Sequence, residues 1–254
     1  MDHPPFRALA MDCDGTLIRE GVMHPDTVRA LERLRESGCK LVLATGETVE
    51  ELAGFPHMDL FDAAVAEEGG LILWPSGRIE QLGPRRPDAL VAELQRRGVK
   101  PLDVGRVIVS THQPHEQTLQ TVITDLGLDY HLHYNRHEVM ALPRGIDKGS
   151  GLRALAKGLG ISLDEFVGIG DGENDRAMFA ACGLGVAVAN AVPALKQQAD
   201  FVTAEGNGRG VRELVERLLD GKLHSRLKSP AKAMVVQASA SMATTERMVE
   251  SRPG

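Results

Sequence analysis

Short apolar runs alternate with amphipathic segments along most of the chain. "FRALAM" (6–11) precedes "PDTVRALERLRES" (25–37), and "KLVLA" (40–44) precedes "ETVEELAGF" (47–55). In each pair the first reads as a buried strand and the second as a helix. Within 25–37, Val28, Leu31 and Leu34 recur on one face, Pro25 and Asp26 supply start signals, and Gly38 supplies the stop. The alternation resumes late. "GSGLRALAKGLG" reads as a helix, "EFVGIG" as a strand, "NDRAMFAA" as a helix and "LGVAVA" as a strand, followed by "VPALKQQA", the short strand "DFVT" and the helix "GVRELVERLLD". Continuous apolar strands joined by helical crossovers predict an α/β fold with a doubly wound parallel sheet.

The middle has a different rhythm. "PDALVAELQRRG" is helical, "GRVIVST" a strand, "HEQTLQTVITDLG" helical, and "DYHLHY" and "EVMAL" are two alternating strands. This order predicts a smaller inserted α+β domain over 78–144, with hinges at 75–77 and 143–145, splitting the larger domain into 1–77 and 145–221. Residues 222–254 lose periodicity and gain Ser, Ala and Met, as expected of a mobile tail.

Composition narrows the function classes. The chain of 254 residues is 43% hydrophobic and 25% charged, and no apolar run approaches the ~20 residues of a membrane span. The start, "MDHPPFRAL", lacks the basic and apolar regions of a secretory signal, so a cytoplasmic protein without a membrane partner is expected. Cys13, Cys39 and Cys182 show no CxxC spacing and are expected to be buried apolar residues. The net charge is −6, and the last 33 residues hold six basic side chains against Glu246 and Glu250, so the body is more acidic still. An acidic body is a poor nucleic-acid binder, because phosphate contacts depend on Lys and Arg. A divalent cation suits it better.

Three predicted strands end on polar residues: "ALAMDCDGTLI" on Asp12 and Asp14, "LVLATG" on Thr45 and Gly46, and "FVGIGDGEND" on Asp171 and Asp175. Open α/β sheets bind ligands at the carboxyl ends of their strands. Four aspartates gathered there repel one another unless a cation holds them, and oxygen-only ligands select a hard ion such as Mg²⁺. With such an ion, phosphate is the natural substrate group, and Lys148 at a helix start adds a second positive charge.

In order, Asp12-Cys13-Asp14-Gly15-Thr16, Thr45-Gly46, Lys148 and Gly170-Asp171-Gly172-Glu173-Asn174-Asp175 resemble the four motifs of the haloacid dehalogenase superfamily, specifically its Cof-type phosphatases with an inserted cap, over residues 6–219. The resemblance implies a Rossmann-like core and a Mg²⁺-dependent phosphatase of a small phosphorylated metabolite such as a sugar phosphate or phosphoglycolate. It implies Asp12 as nucleophile, Asp14 as general acid and base, and Thr45, Gly46, Lys148 and Asn174 as phosphate-binding. The metal set it implies is Asp12, Asp14, Asp171 and Asp175, with Asp171 a direct ligand and Asp175 one layer out. Asp175 also stands where a helix N-cap belongs, and the two readings are compatible. A phosphotransferase of the same superfamily and a non-catalytic phosphometabolite-binding protein remain open as alternatives, as does the choice between monomer and homodimer.

The cap is expected to read the leaving group, with Arg136 and His112 as candidate specificity residues. His131 and His133 share a strand face with Asp129, which reads as ordinary alternation rather than a second metal site. Two positions depart from the family pattern: Glu47 follows Thr45-Gly46 where arginine is usual, and Glu68 stands where asparagine is usual. Both add negative charge and bear on the substrate more than on the chemistry.

Overall fold

The computed structural model describes residues 6–223. The chain begins β1 (Ala8–Met11), α1 (Pro25–Glu36), β2 (Lys40–Ala44), α2 (Val49–Leu52), β3 (Ala63–Ala66), β4 (Leu71–Leu73) and β5 (Ile79–Gln81). It continues α3 (Asp88–Arg96), β6 (Asp103–Val104), β7 (Val109–His112), α4 (Glu116–Asp125), β8 (Tyr130–Asn135) and β9 (Glu138–Pro143). The last part is α5 (Lys148–Leu159), β10 (Phe166–Gly170), α6 (Arg176–Ala181), β11 (Leu184–Ala187), α7 (Pro193–Lys196), β12 (Phe201–Val202) and α8 (Asn207–Leu219).

Eight strands form one sheet in the order β12-β11-β10-β1-β2-β3-β4-β5. β1 runs parallel to β2 and β10 on its two sides, with Ala8 opposite Lys40 and Phe166. Every residue of β1 is fully buried, which explains its unbroken apolar run. From β1 the sheet grows through β2 and β3 on one side, and β10 starts the growth through β11 and β12 on the other. The carboxyl ends of β1 and β10 therefore border the crevice at which such sheets bind ligands.

The doubly wound parallel sheet is as the alternation predicts, with two corrections. Ile79–Gln81, assigned to the insertion that was to begin at residue 78, belongs instead to the large sheet, where Leu73 pairs with Ile79 and Leu71 with Gln81. Residues 75–77 are accordingly a hairpin turn and not a hinge: the Trp74 N–H donates to the Arg78 carbonyl at 2.9 Å. The helix expected over "ETVEELAGF" is a single turn, α2, because Gly54 and Pro56 follow it closely. The segment expected as a tail lies, from residue 224, outside the described residues. Among the described residues no helix is long and apolar enough to cross a membrane.

A second, antiparallel sheet has the order β6-β7-β9-β8. One face packs on α3 and α4 through Leu90, Leu94, Leu119, Val122, Val109 and Val139, a hydrophobic cluster separate from that of the large sheet. The opposite face carries the alternate residues, in the register pairs Asp103–Ser110, His112–Glu138 and His133–Met140. Met140 and the Asn135–Arg136 tip bring this polar face over the crevice: the Arg136 N–H lies 3.5 Å from Glu173 Oε2.

Glu67 ties the two layers together. It is fully buried, and its carboxylate accepts hydrogen bonds from the backbone N–H groups of Arg106 (3.0 Å), Val107 (2.7 Å) and Ile108 (3.2 Å) at the start of β7. Glu67 and Glu68 both hold positive φ, 50° and 53°, a conformation that non-glycine residues keep only where surrounding contacts impose it. Replacing Glu67 by alanine strands three donors, each worth about 1–3 kcal/mol when buried without an acceptor. With Arg106 partly open to water, a net loss of about 3 kcal/mol is expected, read in thermal unfolding as a Tm lower by roughly 6–12 °C. Glu67→Gln keeps one acceptor oxygen and is expected to fall between.

Candidate active site

Asp12 stands one residue past β1, where its N–H donates to the Ile169 carbonyl at 3.0 Å and extends the β1–β10 ladder. Lys148 is the first residue of α5, a start fixed by Asp147, whose carboxylate accepts from the Ser150 N–H at 2.6 Å. From there the fully buried ammonium reaches Asp12 Oδ1 at 2.5 Å and Asp175 Oδ1 at 2.8 Å, with Glu68 Oε1 at 3.8 Å. Burial alone would push Lys148 down, but Asp12, Asp175 and Glu68 hold it well above its ordinary value.

The loop after β10 delivers the remaining aspartates. Asp175 is saturated: besides Lys148, its Oδ2 accepts from the N–H groups of Asp171 (2.9 Å) and Gly172 (3.0 Å). It bonds upstream and makes no side-chain cap to α6, so this carboxylate orders the loop and Lys148. Asp171 accepts from Thr16 Oγ1 at 3.2 Å and forms an ion pair with Arg136. Gly15 holds φ of +80°, and a Cβ there would run into the Asp171 carboxylate, so the glycine lets the β1 loop close on it.

Asp12, Asp171 and Asp175 bring carboxylate oxygens within 4.8 Å of one another. Burial raises Asp12 first, and the charge of Asp175 raises it further, against the pull of Lys148. The donors are all oxygens, the anionic charge exceeds what Lys148 balances, and Arg136 places a guanidinium against Asp171. These residues fit a hard divalent cation such as Mg²⁺. Asp14 is set apart, open to solvent on one side and half-buried at its carboxyl: its oxygen groups with Cys13 Sγ and Glu47. Its carboxyl is raised by burial, then by Asp171 and Glu51.

Thr45 and Gly46 follow β2 and face the same cavity as Asp12, Asp14 and Asn174, a space of about 220 Å³. The Thr45 hydroxyl donates to the Glu47 carboxylate, so the first departure from the family pattern folds back onto a predicted phosphate-binding group. Burial pushes Glu47 up, against hydrogen bonds from Thr45 and Cys13. The second departure, Glu68, is fully buried and accepts from Asn174 Nδ2 at 2.7 Å. Burial would raise it, but Lys148, His133 and Asn174 together outweigh that, and Glu68 lies below its ordinary value.

The cap residues sort differently from expectation. His112 lines the cavity. Arg136, expected at an anionic substituent, lies outside the cavity lining and pairs with Asp171. His131 and His133 place their Nε2 atoms 2.7 Å apart and belong to neither described metal-compatible group. Asp129 turns away to Arg144 at 2.7 Å. Cys13, Cys39 and Cys182 are all buried.

The sequence profile of the haloacid dehalogenase-like hydrolases matches residues 9–81 and 93–215. The chain belongs to that family. It is 30% identical to a phosphoglycolate phosphatase of Methanothermobacter thermautotrophicus, over 84% of this chain and 99% of the relative. It is 31% identical to a phosphoglycolate phosphatase of Archaeoglobus fulgidus, over 84% of this chain and 96% of the relative. In fold it is similar to a subclass IIB sugar phosphatase of the superfamily, with a TM-score of 0.70 at 20% identity over 83% of this chain and 98% of that one. As a haloacid dehalogenase-like hydrolase the chain is an enzyme, and its profile match runs through both sheets.

Three residues at the site of this hydrolase went unread in the sequence. Glu51 is a helix-capping residue, its carboxylate accepting from the Thr48 N–H at 2.8 Å, and it also lines the cavity. Asp103 and Glu138 reach the cavity from β6 and β9. Their only sequence signal is an acidic residue on the polar face of an alternating strand, which is ordinary on solvated sheets.

Proposed function

We propose that this chain is a Mg²⁺-dependent phosphatase that hydrolyses a small phosphorylated metabolite through an aspartyl phosphate on Asp12. The observation that carries the reading is the buried contact of Lys148 with Asp12 and Asp175 at the crevice between β1 and β10. The names of the relatives, phosphoglycolate phosphatases and a sugar phosphatase, support the same substrate group.

In this reading an Asp12 oxygen attacks phosphorus in line with the ester oxygen, the P–O bond to the leaving group breaks, and Asp14 donates its proton to the departing alkoxide. Asp14, now ionised, takes a proton from water, which attacks phosphorus and breaks the bond to Asp12, releasing inorganic phosphate. Asp12 and Asp171, with Asp175 beside them, would hold Mg²⁺, which would supply charge neutralisation for the phosphoryl oxygens, and Asp14, outside that group, is left to carry the proton. Lys148 pulls Asp12 toward its ionised form, against burial and Asp175, and offsets charge on the phosphate, while Thr45, Gly46 and Asn174 orient the phosphoryl oxygens. Asp175 keeps Lys148 and the Asp171 loop in position.

Phosphate release from a panel of phosphomonoesters tests this. Release is expected with Mg²⁺, with loss to background in EDTA and recovery on adding Mg²⁺ back. Transfer of the phosphoryl group to an added alcohol in place of water would support the phosphotransferase alternative instead. Activity unchanged by EDTA would overturn the metal dependence.

A further inference from the structure

The wall of the cavity away from Asp12 is acidic. Glu47 and Glu51 approach from the large sheet, Asp103 and Glu138 from the cap, and Glu68 from the turn after β3. Among the described residues no lysine or arginine lines it, and His112 is the sole basic side chain there. A second feature is independent of this charge. Glu68 and Asn174, 0% and 7% exposed, both line the cavity, and among the described residues Glu68 Oε2 and Asn174 Oδ1 have no hydrogen-bond partner. His133 Nδ1, itself without a hydrogen-bond partner, stands 3.8 Å from Glu68 Oε2, within ion-pair range but longer than a hydrogen bond. Two buried acceptors left open in one pocket call for a ligand that brings donors.

We infer that the leaving group taken by this site is an amine-bearing alcohol, so that the substrate is the phosphate monoester of an aminoalkyl or amino-sugar alcohol, its ammonium held by Glu138, Asp103 and Glu68. This rests on the phosphatase reading above and adds the leaving group to it. Asp12, Lys148 and the metal-compatible carboxylates serve the phosphoryl end, which leaves the cap-side carboxylates to meet the other end of the ester. Asp103 and Glu138 share the polar face of the cap sheet, in the register pairs Asp103–Ser110 and His112–Glu138. An ammonium between them gives three donors to acidic acceptors, whereas a carboxylate there meets like charge, with no lysine or arginine in the described lining to receive it. The state of Glu138 agrees. Burial, with Glu68, Asp103 and Glu51 nearby and against a hydrogen bond from Ser110, pushes its carboxyl up to about 7, and a cation relieves that crowding.

The phosphoglycolate phosphatase relatives make the contrast sharp, since phosphoglycolate carries a carboxylate where this pocket is acidic. A two-carbon series isolates the charge: 2-aminoethyl phosphate, 2-hydroxyethyl phosphate and phosphoglycolate, with p-nitrophenyl phosphate as a reference, all with Mg²⁺. The expected kcat/KM is highest for the amine, by about tenfold over the neutral ester and about 100-fold or more over phosphoglycolate, the scale of one misplaced like charge. Glu138→Gln is expected to cut the amine-to-neutral ratio severalfold with its thermal unfolding retained, and Asp103→Asn to do the same. Equal or higher kcat/KM for phosphoglycolate, or a ratio unmoved in both variants, would overturn the inference while the phosphatase reading stands. No release from any ester, p-nitrophenyl phosphate included, would overturn both.

Discussion

Replacing Asp12 by asparagine is expected to lower kcat/KM for phosphate-ester hydrolysis by about 10⁴-fold or more, the order seen when a nucleophile is removed from a constellation that acts as a unit. That is about 5.5 kcal/mol of transition-state stabilisation. The amide is nearly isosteric but is a poor nucleophile, so the covalent route closes while the pocket keeps its shape. Folding should be little affected. Burial first, then the charges of Asp175 and Asp171, already hold the Asp12 carboxyl above the ordinary range, so a neutral side chain removes desolvation and repulsion as well as one partner of Lys148. Phosphate-release kinetics beside thermal unfolding in EDTA checks both halves: activity is expected to vanish with Tm nearly unchanged. A comparable loss of both would mean that Asp12 is chiefly a structural partner of Lys148.

Lys148→Met is expected to behave in the opposite way on stability. The ammonium is fully buried and stands against Asp12 and Asp175 with Glu68 beyond, so its removal leaves buried carboxylates without their counter-charge. Breaking a buried pair by removing one partner costs about 3–5 kcal/mol. For a chain of this size that lowers Tm by roughly 10 °C or more. Activity is expected to fall about 10²- to 10³-fold as well, because the proposed mechanism places this positive charge at the phosphoryl group. Thermal unfolding and kcat/KM measured on the same preparation read the two effects. A variant as stable as the wild type would show that the carboxylates find other compensation.

The core was legible where burial is two-sided. β1, β2 and β10 are continuous apolar runs, and the helices between them carry one-sided apolar faces, so the alternation and its polar strand ends could be read directly. β3, β4 and β5 could not. "AAVA" and "LIL" are three or four residues long and apolar throughout, a length and pattern that does not separate a strand from a buried loop. In the sequence the Pro75–Gly77 turn reads as a hinge, which hides the pairing of Ile79 with Leu73. The site shows the same division. Asp12, Asp14, Thr45, Lys148, Asp171 and Asp175 sit in local motifs with strand-to-helix context. The acidic wall assembles from Glu51, Glu68, Asp103 and Glu138, drawn from four separate segments, and only the folded chain brings them to one cavity. Glu67, three hydrogen bonds from β7, was invisible for the same reason: nothing local to "AEEGG" names residues 106–108 as its partners.

The central claim is that phosphorus passes through a covalent bond to Asp12, and Asp14→Asn offers the most direct view of it. With p-nitrophenyl phosphate the leaving phenolate needs no proton, so the first step survives the loss of Asp14, while water activation in the second step does not. Mixing this variant with p-nitrophenyl phosphate and Mg²⁺, then quenching in acid and mapping peptides by mass, is expected to give a burst of nitrophenolate equal to the enzyme concentration. Phosphate should lag behind it, with one phosphoryl group on the Ala8–Ile18 stretch at Asp12. Nitrophenolate and phosphate appearing together without a burst, or a phosphoryl group on any other residue, would contradict the account.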